Sequence, residues 1–100
     1  MKQGKLIRNR IPEIIREKGG RPVTRLADDK EYWEVLKAKL KEEVEEFVVS
    51  ESPEELADIL EVIEAIVTYR HLDQKALEKL RLAKKKTRGG FTKRLILTGK

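Results

Sequence analysis

Between residues 30 and 69 the apolar positions recur every three or four residues, the spacing of a helix that hides one face. In the first run, residues 30–50, they are Trp33, Leu36, Leu40, Val44 and Phe47. In the second, residues 53–69, they are far denser. Wound at about 100° per residue, Leu56, Ile59, Leu60, Val62, Ile63, Ile66 and Val67 spread over a very wide arc. Only a narrow polar gap remains, held by Glu54, Glu61, Glu64 and Thr68. A helix apolar nearly all round is a buried helix. Ser52 and Pro53 open it, and Asp28, three residues ahead of Glu31, forms a capping box for the first run. Residues 49–52 are all that separates the two, so they are expected to pack as an antiparallel hairpin.

Outside the hairpin the pattern is thinner. A basic lead-in, Lys5-Leu-Ile-Arg-Asn-Arg-Ile-Pro12, gives way to a brief helix to residue 18 that Gly19-Gly20 stops. Asp73 caps a fourth helix running to about residue 86, ended by Gly89-Gly90. Loose alternation over residues 23–26 and 91–97 suits short extended segments that could pair as a small sheet. The fold class expected is therefore mainly all-α, a helical hairpin within a bundle. One hundred residues make a single domain over residues 1–100.

Two carboxylates break the apolar pattern. Glu55 and Asp58 land inside the wide arc, on either side of Val62. A buried carboxylate is costly unless cations or hydrogen bonds compensate it. On the other helix Glu43 lies beside Leu36 and Phe47, at the edge of the stripe. Glu46 is one turn on, and Glu42 and Glu45 point further out. The expected turn brings Glu43 and Glu46 opposite Glu55 and Asp58. Four carboxylates converging between two helices suit a hard divalent cation, and oxygen-only ligands favour magnesium or manganese over zinc. Each signal has a plainer explanation when taken alone. Glu55 can complete a capping box with Ser52, and residues 42–46 can be a solvated face paired with Lys39 and Lys41. Asp58, past the first turn and on the buried face, has neither explanation.

Charge changes the picture further. Residues 1–27 hold eight Lys/Arg against two acids, residues 28–64 hold fourteen Asp/Glu against four Lys, and residues 75–100 hold ten Lys/Arg against one acid. An acidic centre bracketed by basic ends argues against a plain nucleic-acid binder. It suits an enzyme that holds a metal with carboxylates and phosphates with cations. The phosphate-binding candidates are Arg8, Lys85 and Arg88. There is no cysteine, hence neither disulfide nor thiolate metal site. No apolar run approaches a membrane span and no signal-peptide core follows Met1. A cytoplasmic protein with no membrane partner is expected.

The segments Glu42-Glu43-Val-Glu-Glu46 and Glu55-Leu-Ala-Asp58 resemble the paired E-E-x-x-E and E-x-x-D motifs of MazG-like nucleotide pyrophosphohydrolases. These belong to the all-α NTP pyrophosphatases, with phosphoribosyl-ATP pyrophosphohydrolase and dimeric dUTPases. The lead-in and the tail Arg88-Gly-Gly-Phe91 are similar to the small phosphoribosyl-ATP pyrophosphohydrolase-like branch. The resemblance implies Glu43, Glu46, Glu55 and Asp58 as Mg2+ ligands, with Mn2+ a substitute, and Glu42 beside them. It also implies a homodimer or homotetramer of helical hairpins. Asn9 stands where an aspartate is expected in the lead-in, and the connector between the motifs is short.

The expected activity is hydrolysis of a nucleoside triphosphate, or of phosphoribosyl-ATP, to the monophosphate and pyrophosphate. Aberrant nucleotides are a plausible substrate class by the same resemblance. Glu42 is the carboxylate expected to act as general base. The alternative is a small basic helical module that binds nucleic acid or another protein without catalysis.

Overall fold

The computed structural model describes residues 4–100. They form four helices, α1 (Ile11–Glu17), α2 (Asp29–Ser50), α3 (Pro53–Tyr69) and α4 (Gln74–Arg88). No strand forms among the described residues, and the fold is all-α. The pairing expected of residues 23–26 and 91–97 does not occur. Val23, Leu26, Leu95, Ile96 and Leu97 are all exposed. Alternation selects a face only where a second surface receives it, and none does so here.

The caps explain where the helices begin. The Asp28 carboxylate accepts the Glu31 N–H at 2.8 Å and starts α2. Ser52 Oγ accepts the Glu54 N–H at 3.1 Å, and Pro53 takes the first turn of α3, where a missing N–H costs nothing. Asp73 accepts the Lys75 N–H at 2.9 Å and starts α4. Between α2 and α3 the chain reverses in two residues, because Glu51 takes the left-handed conformation (φ 57°, ψ 22°) and donates its N–H to the Phe47 carbonyl. α1 is short, and Gly19 with φ 87° ends it. A Cβ on Gly20 would lie 2.6 Å from Ile15 Cγ2, so that second glycine lets the chain fold back over α1.

α2 and α3 pack along their length as the antiparallel hairpin. At the open end Tyr69 closes it. Its hydroxyl donates to the Asp29 carbonyl at 3.0 Å, its ring stacks on Trp33 at 5.5 Å, and Tyr32 meets it edge-on at 5.3 Å. Leu36, Val62 and Val67 form the buried apolar core. Near the turn the buried residue is Glu43, on the covered face rather than at its edge, while Val44 faces outward. α4 is exposed throughout. Its first turns lean on α3 across an open cleft of about 550 Å³ lined by Leu60, Ile63, Val67 and Leu77 among others. No described helix is long and apolar enough to cross a membrane.

Candidate metal centre

The antiparallel turn brings two acidic stretches of sequence into one place. Carboxylate oxygens of Glu42, Glu43 and Glu46 lie within 4.8 Å of one another, and so do those of Glu43, Glu55 and Asp58. Glu43 belongs to both groups, at the centre of a five-carboxylate cluster. Only 6% of it is exposed. Its Oε2 is buried with no hydrogen-bond partner, and its Oε1 lies 3.3 Å from Lys39 Nζ. A buried carboxylate oxygen without a donor is an expensive arrangement.

The plainer explanation for Glu55 fails on geometry. In a capping box the glutamate side chain would take the Ser52 N–H. That N–H donates instead to Ser50 Oγ at 3.2 Å. Glu55 is left facing Glu43, Glu46 and Asp58.

Three cations partly neutralise the cluster. Arg8 donates to Asp58 Oδ1 at 2.7 Å. Lys5 reaches Glu42 at 3.3 Å, and Lys39 lies 3.5 Å from Glu42 as well as against Glu43. Among the described residues, five carboxylates against three cations leave two negative charges, the charge of one divalent ion. The titration of the cluster reflects that imbalance. Partial loss of hydration, then the charges of Glu43 and its neighbours, push the Glu46 carboxyl above its ordinary range. The same loss, with Asp58 and Glu43, raises Glu55. Glu42 moves the other way: burial alone would raise it, but Lys5 and Lys39 together outweigh that and hold it low.

Of the residues singled out from the sequence, Glu42, Glu43, Glu46, Glu55 and Asp58 are brought together. Arg8 joins them as the ion-pair partner of Asp58. Lys85 and Arg88 are not brought in: both are exposed on the last turn of α4, and neither makes a side-chain ion pair or hydrogen bond among the described residues. The wheel of α3 explains why. Leu60, Ile63 and Val67, which face α4, lie roughly 140° round from Glu55, Asp58 and Val62, so α3 itself stands between them. Asn9 is exposed and outside the cluster. Sequence reasoning missed Lys5 as a member. Lys39 was legible only as a helix-spaced partner, three residues from Glu42 and four from Glu43.

No protein-family model matches the chain, and no solved structure matches it. An uncharacterised protein of Mycolicibacterium smegmatis (strain ATCC 700084 / mc(2)155) is 58% identical over 41 residues, covering 41% of this chain. The match spans 42% of that protein's length.

Proposed function

We propose that this chain is a divalent-cation-dependent pyrophosphohydrolase acting on a nucleotide, with Mg2+ as its ion and Mn2+ as a substitute. The observation that carries the reading is Glu43. It is a buried carboxylate with an unpartnered oxygen, shared by two carboxylate groups whose cations leave two negative charges unmatched. Hard oxygen donors of this kind fit magnesium and manganese. The nucleotide as substrate rests on the resemblance of the paired acidic motifs, not on the geometry.

Glu43, Glu55 and Asp58, with Glu46 beside them, would hold the ion. When bound, it supplies neutralisation of the phosphate chain and a lowered pKa for water. A carboxylate of this chain would take the proton. Glu42 stands outside the set that would hold the ion, and Lys5 and Lys39 keep it ionised and able to accept a proton. Glu46 is exposed, pairs with no Lys or Arg among the described residues, and has its pKa raised. A ligating carboxylate gives up a raised pKa to the ion, so Glu46 serves as a ligand and Glu42 takes the role of base. Arg8, the ion-pair partner of Asp58, would meet phosphate oxygens, whereas Lys85 and Arg88 would need a copy of α4 approaching from another direction. A homodimer or homotetramer belongs to the same reading, supported by the apolar residues of α3 that remain uncovered, Leu56 and Leu60 among them.

The test is a panel of nucleoside triphosphates and phosphoribosyl-ATP, with and without Mg2+, scored for pyrophosphate release. Mg2+-dependent release that disappears in a folded Asp58→Asn variant is the expected result. A second reading has one observation in its favour: α4 is basic and exposed from end to end. A nucleic-acid-binding module of this kind would release no pyrophosphate, and its affinity would fall steeply with salt.

A further inference from the structure

The lead-in reaches both helices of the hairpin through its cations. Residues 4–8 carry no helix, yet Lys5 pairs with Glu42 on α2 and Arg8 with Asp58 on α3, contacts 37 and 50 residues apart in sequence. Both pairs close over the end of the hairpin where Glu43 Oε2 lies buried and unpartnered. Arg8 holds an oxygen of the same carboxylate that groups with Glu43 and Glu55 at ligand-like spacing. A divalent ion on that carboxylate and a guanidinium beside it repel each other. The ion pair is half-exposed, with 55% of the Arg8 side chain and 38% of the Asp58 side chain accessible. Pairs exposed to this extent are weak and break readily.

Resting on the metal reading above, we propose that Arg8 is an exchangeable counter-ion. In the metal-free protein it neutralises Asp58, and when a divalent ion takes the carboxylates it turns to the polyphosphate of the incoming substrate. The chemistry suits the second half of the exchange. A guanidinium presents paired donors that grip two phosphate oxygens at once, and rotation about the bonds of the half-exposed Arg8 side chain covers the short distance required. Lys5 does the same more weakly, as a point charge on Glu42. The ligand class implied is a polyphosphate carried with a divalent ion. Two consequences follow with opposite signs. Removing the Arg8 charge tightens metal binding, because a competitor is gone, and weakens polyphosphate binding, because a clamp is gone. A residue that merely supported the fold would move both in the same direction.

The experiment measures Mn2+ affinity by electron paramagnetic resonance, without substrate, for the wild type, Arg8→Gln and Arg10→Gln. Calorimetry then measures inorganic tripolyphosphate binding to the Mg2+-saturated proteins. Arg8→Gln is expected to bind Mn2+ about tenfold tighter and tripolyphosphate about tenfold weaker. Arg10 pairs with Glu13, away from the cluster, so Arg10→Gln should leave Mn2+ affinity unchanged. Arg8→Lys guards against a folding artefact: it keeps the charge, and should show near-wild-type Mn2+ affinity with partly weakened tripolyphosphate binding. A wild type that binds no Mn2+ overturns the metal reading and this proposal together. A wild type that binds it, with Arg8→Gln binding Mn2+ no tighter or tripolyphosphate no weaker, overturns the exchange alone.

Discussion

A carboxylate that is 6% exposed, with one oxygen against Lys39 and the other without a donor, has lost hydration that the protein does not fully replace. It is also one of five clustered carboxylates that repel one another, and Lys39 keeps Glu42 as a partner when Glu43 is neutral. Glu43→Gln should therefore raise the stability of the metal-free protein by about 1 kcal/mol and abolish its stabilisation by Mg2+. Thermal melts with and without the ion check both halves. A destabilised variant that still responds to Mg2+ would remove Glu43 from the centre. The raised carboxyls of Glu46 and Glu55 add a pH dependence. A carboxyl whose folded pKa lies above its unfolded value makes the folded state bind more protons, so these two groups cost stability as pH rises through the window just above 4.5, and the cost is relieved below it. The lowered Glu42 and Glu78 act oppositely, losing stability as pH falls below the same value. A bound divalent ion favours the ionised forms of Glu46 and Glu55. The rise in melting temperature on adding Mg2+ should hence be small near the ordinary glutamate pKa of about 4.3 and grow toward neutrality. Melts across that range, with and without Mg2+, decide it; a Mg2+ effect flat with pH would show that these carboxylates do not hold the ion. Glu55 and Asp58 were legible from sequence because charge inside an apolar arc is anomalous whatever the fold. Arg8 and Lys5 were not legible as partners of Asp58 and Glu42, since nothing local to a basic lead-in tells which carboxylate 37 or 50 residues away it will meet.

The helices themselves were legible because each start has its own local chemistry. Asp28, Ser52 and Asp73 each accept a backbone N–H two or three residues on, and such caps depend on neighbours in sequence, not on tertiary packing. The stop of α2 was less legible. Residues 49–52 read as the connector, but α2 runs on to Ser50 and the reversal is done by Glu51 in the left-handed region. That conformation costs a non-glycine residue about 1–2 kcal/mol, and glycine is the usual occupant of this position. Glycine's extra freedom in the unfolded chain takes back about 0.5–1 kcal/mol. Glu51→Gly should thus raise stability by about 0.5 kcal/mol, and Glu51→Val, whose branched Cβ fits that region worst, should lower it. Denaturant unfolding of the pair checks the sign. The reverse order would mean that the turn relaxes away from the left-handed geometry, which matters because this two-residue reversal fixes Glu43 opposite Glu55 and Asp58.

For the whole molecule the informative quantity is its spread. A compact chain of this length has a radius of gyration of about 13 Å; this one has 17.8 Å, over 56 × 31 × 28 Å. The excess lies in α4 and residues 89–100, which stay exposed outside the α2–α3 hairpin, and α3 is left with an apolar arc wider than α2 alone can cover. Toward α2 it buries Val62 and half-buries Ile59 and Ile66, while on the far side Leu56, Leu60 and Ile63 stay exposed, with Leu60 66% accessible. α4 leans on this far side only through its first turns and leaves Leu77 and Leu80 uncovered as well. Adjoining uncovered apolar faces on two helices are a feature of surfaces that meet a partner. A second copy would bring matching apolar faces and oppose a basic α4 to an acidic α2–α3 hairpin, which sets orientation as well as contact. Light scattering at micromolar concentration should accordingly give a dimer or a larger even-numbered assembly. Leu60→Glu places a charge in the uncovered face without touching the hairpin core, so it should yield a folded, helical protein of monomer mass. Its melting temperature should also lose the dependence on protein concentration that an assembly imposes. A wild type that scatters as a monomer, with a melt independent of concentration, would show that the exposed faces of α3 and α4 do not join copies of this chain.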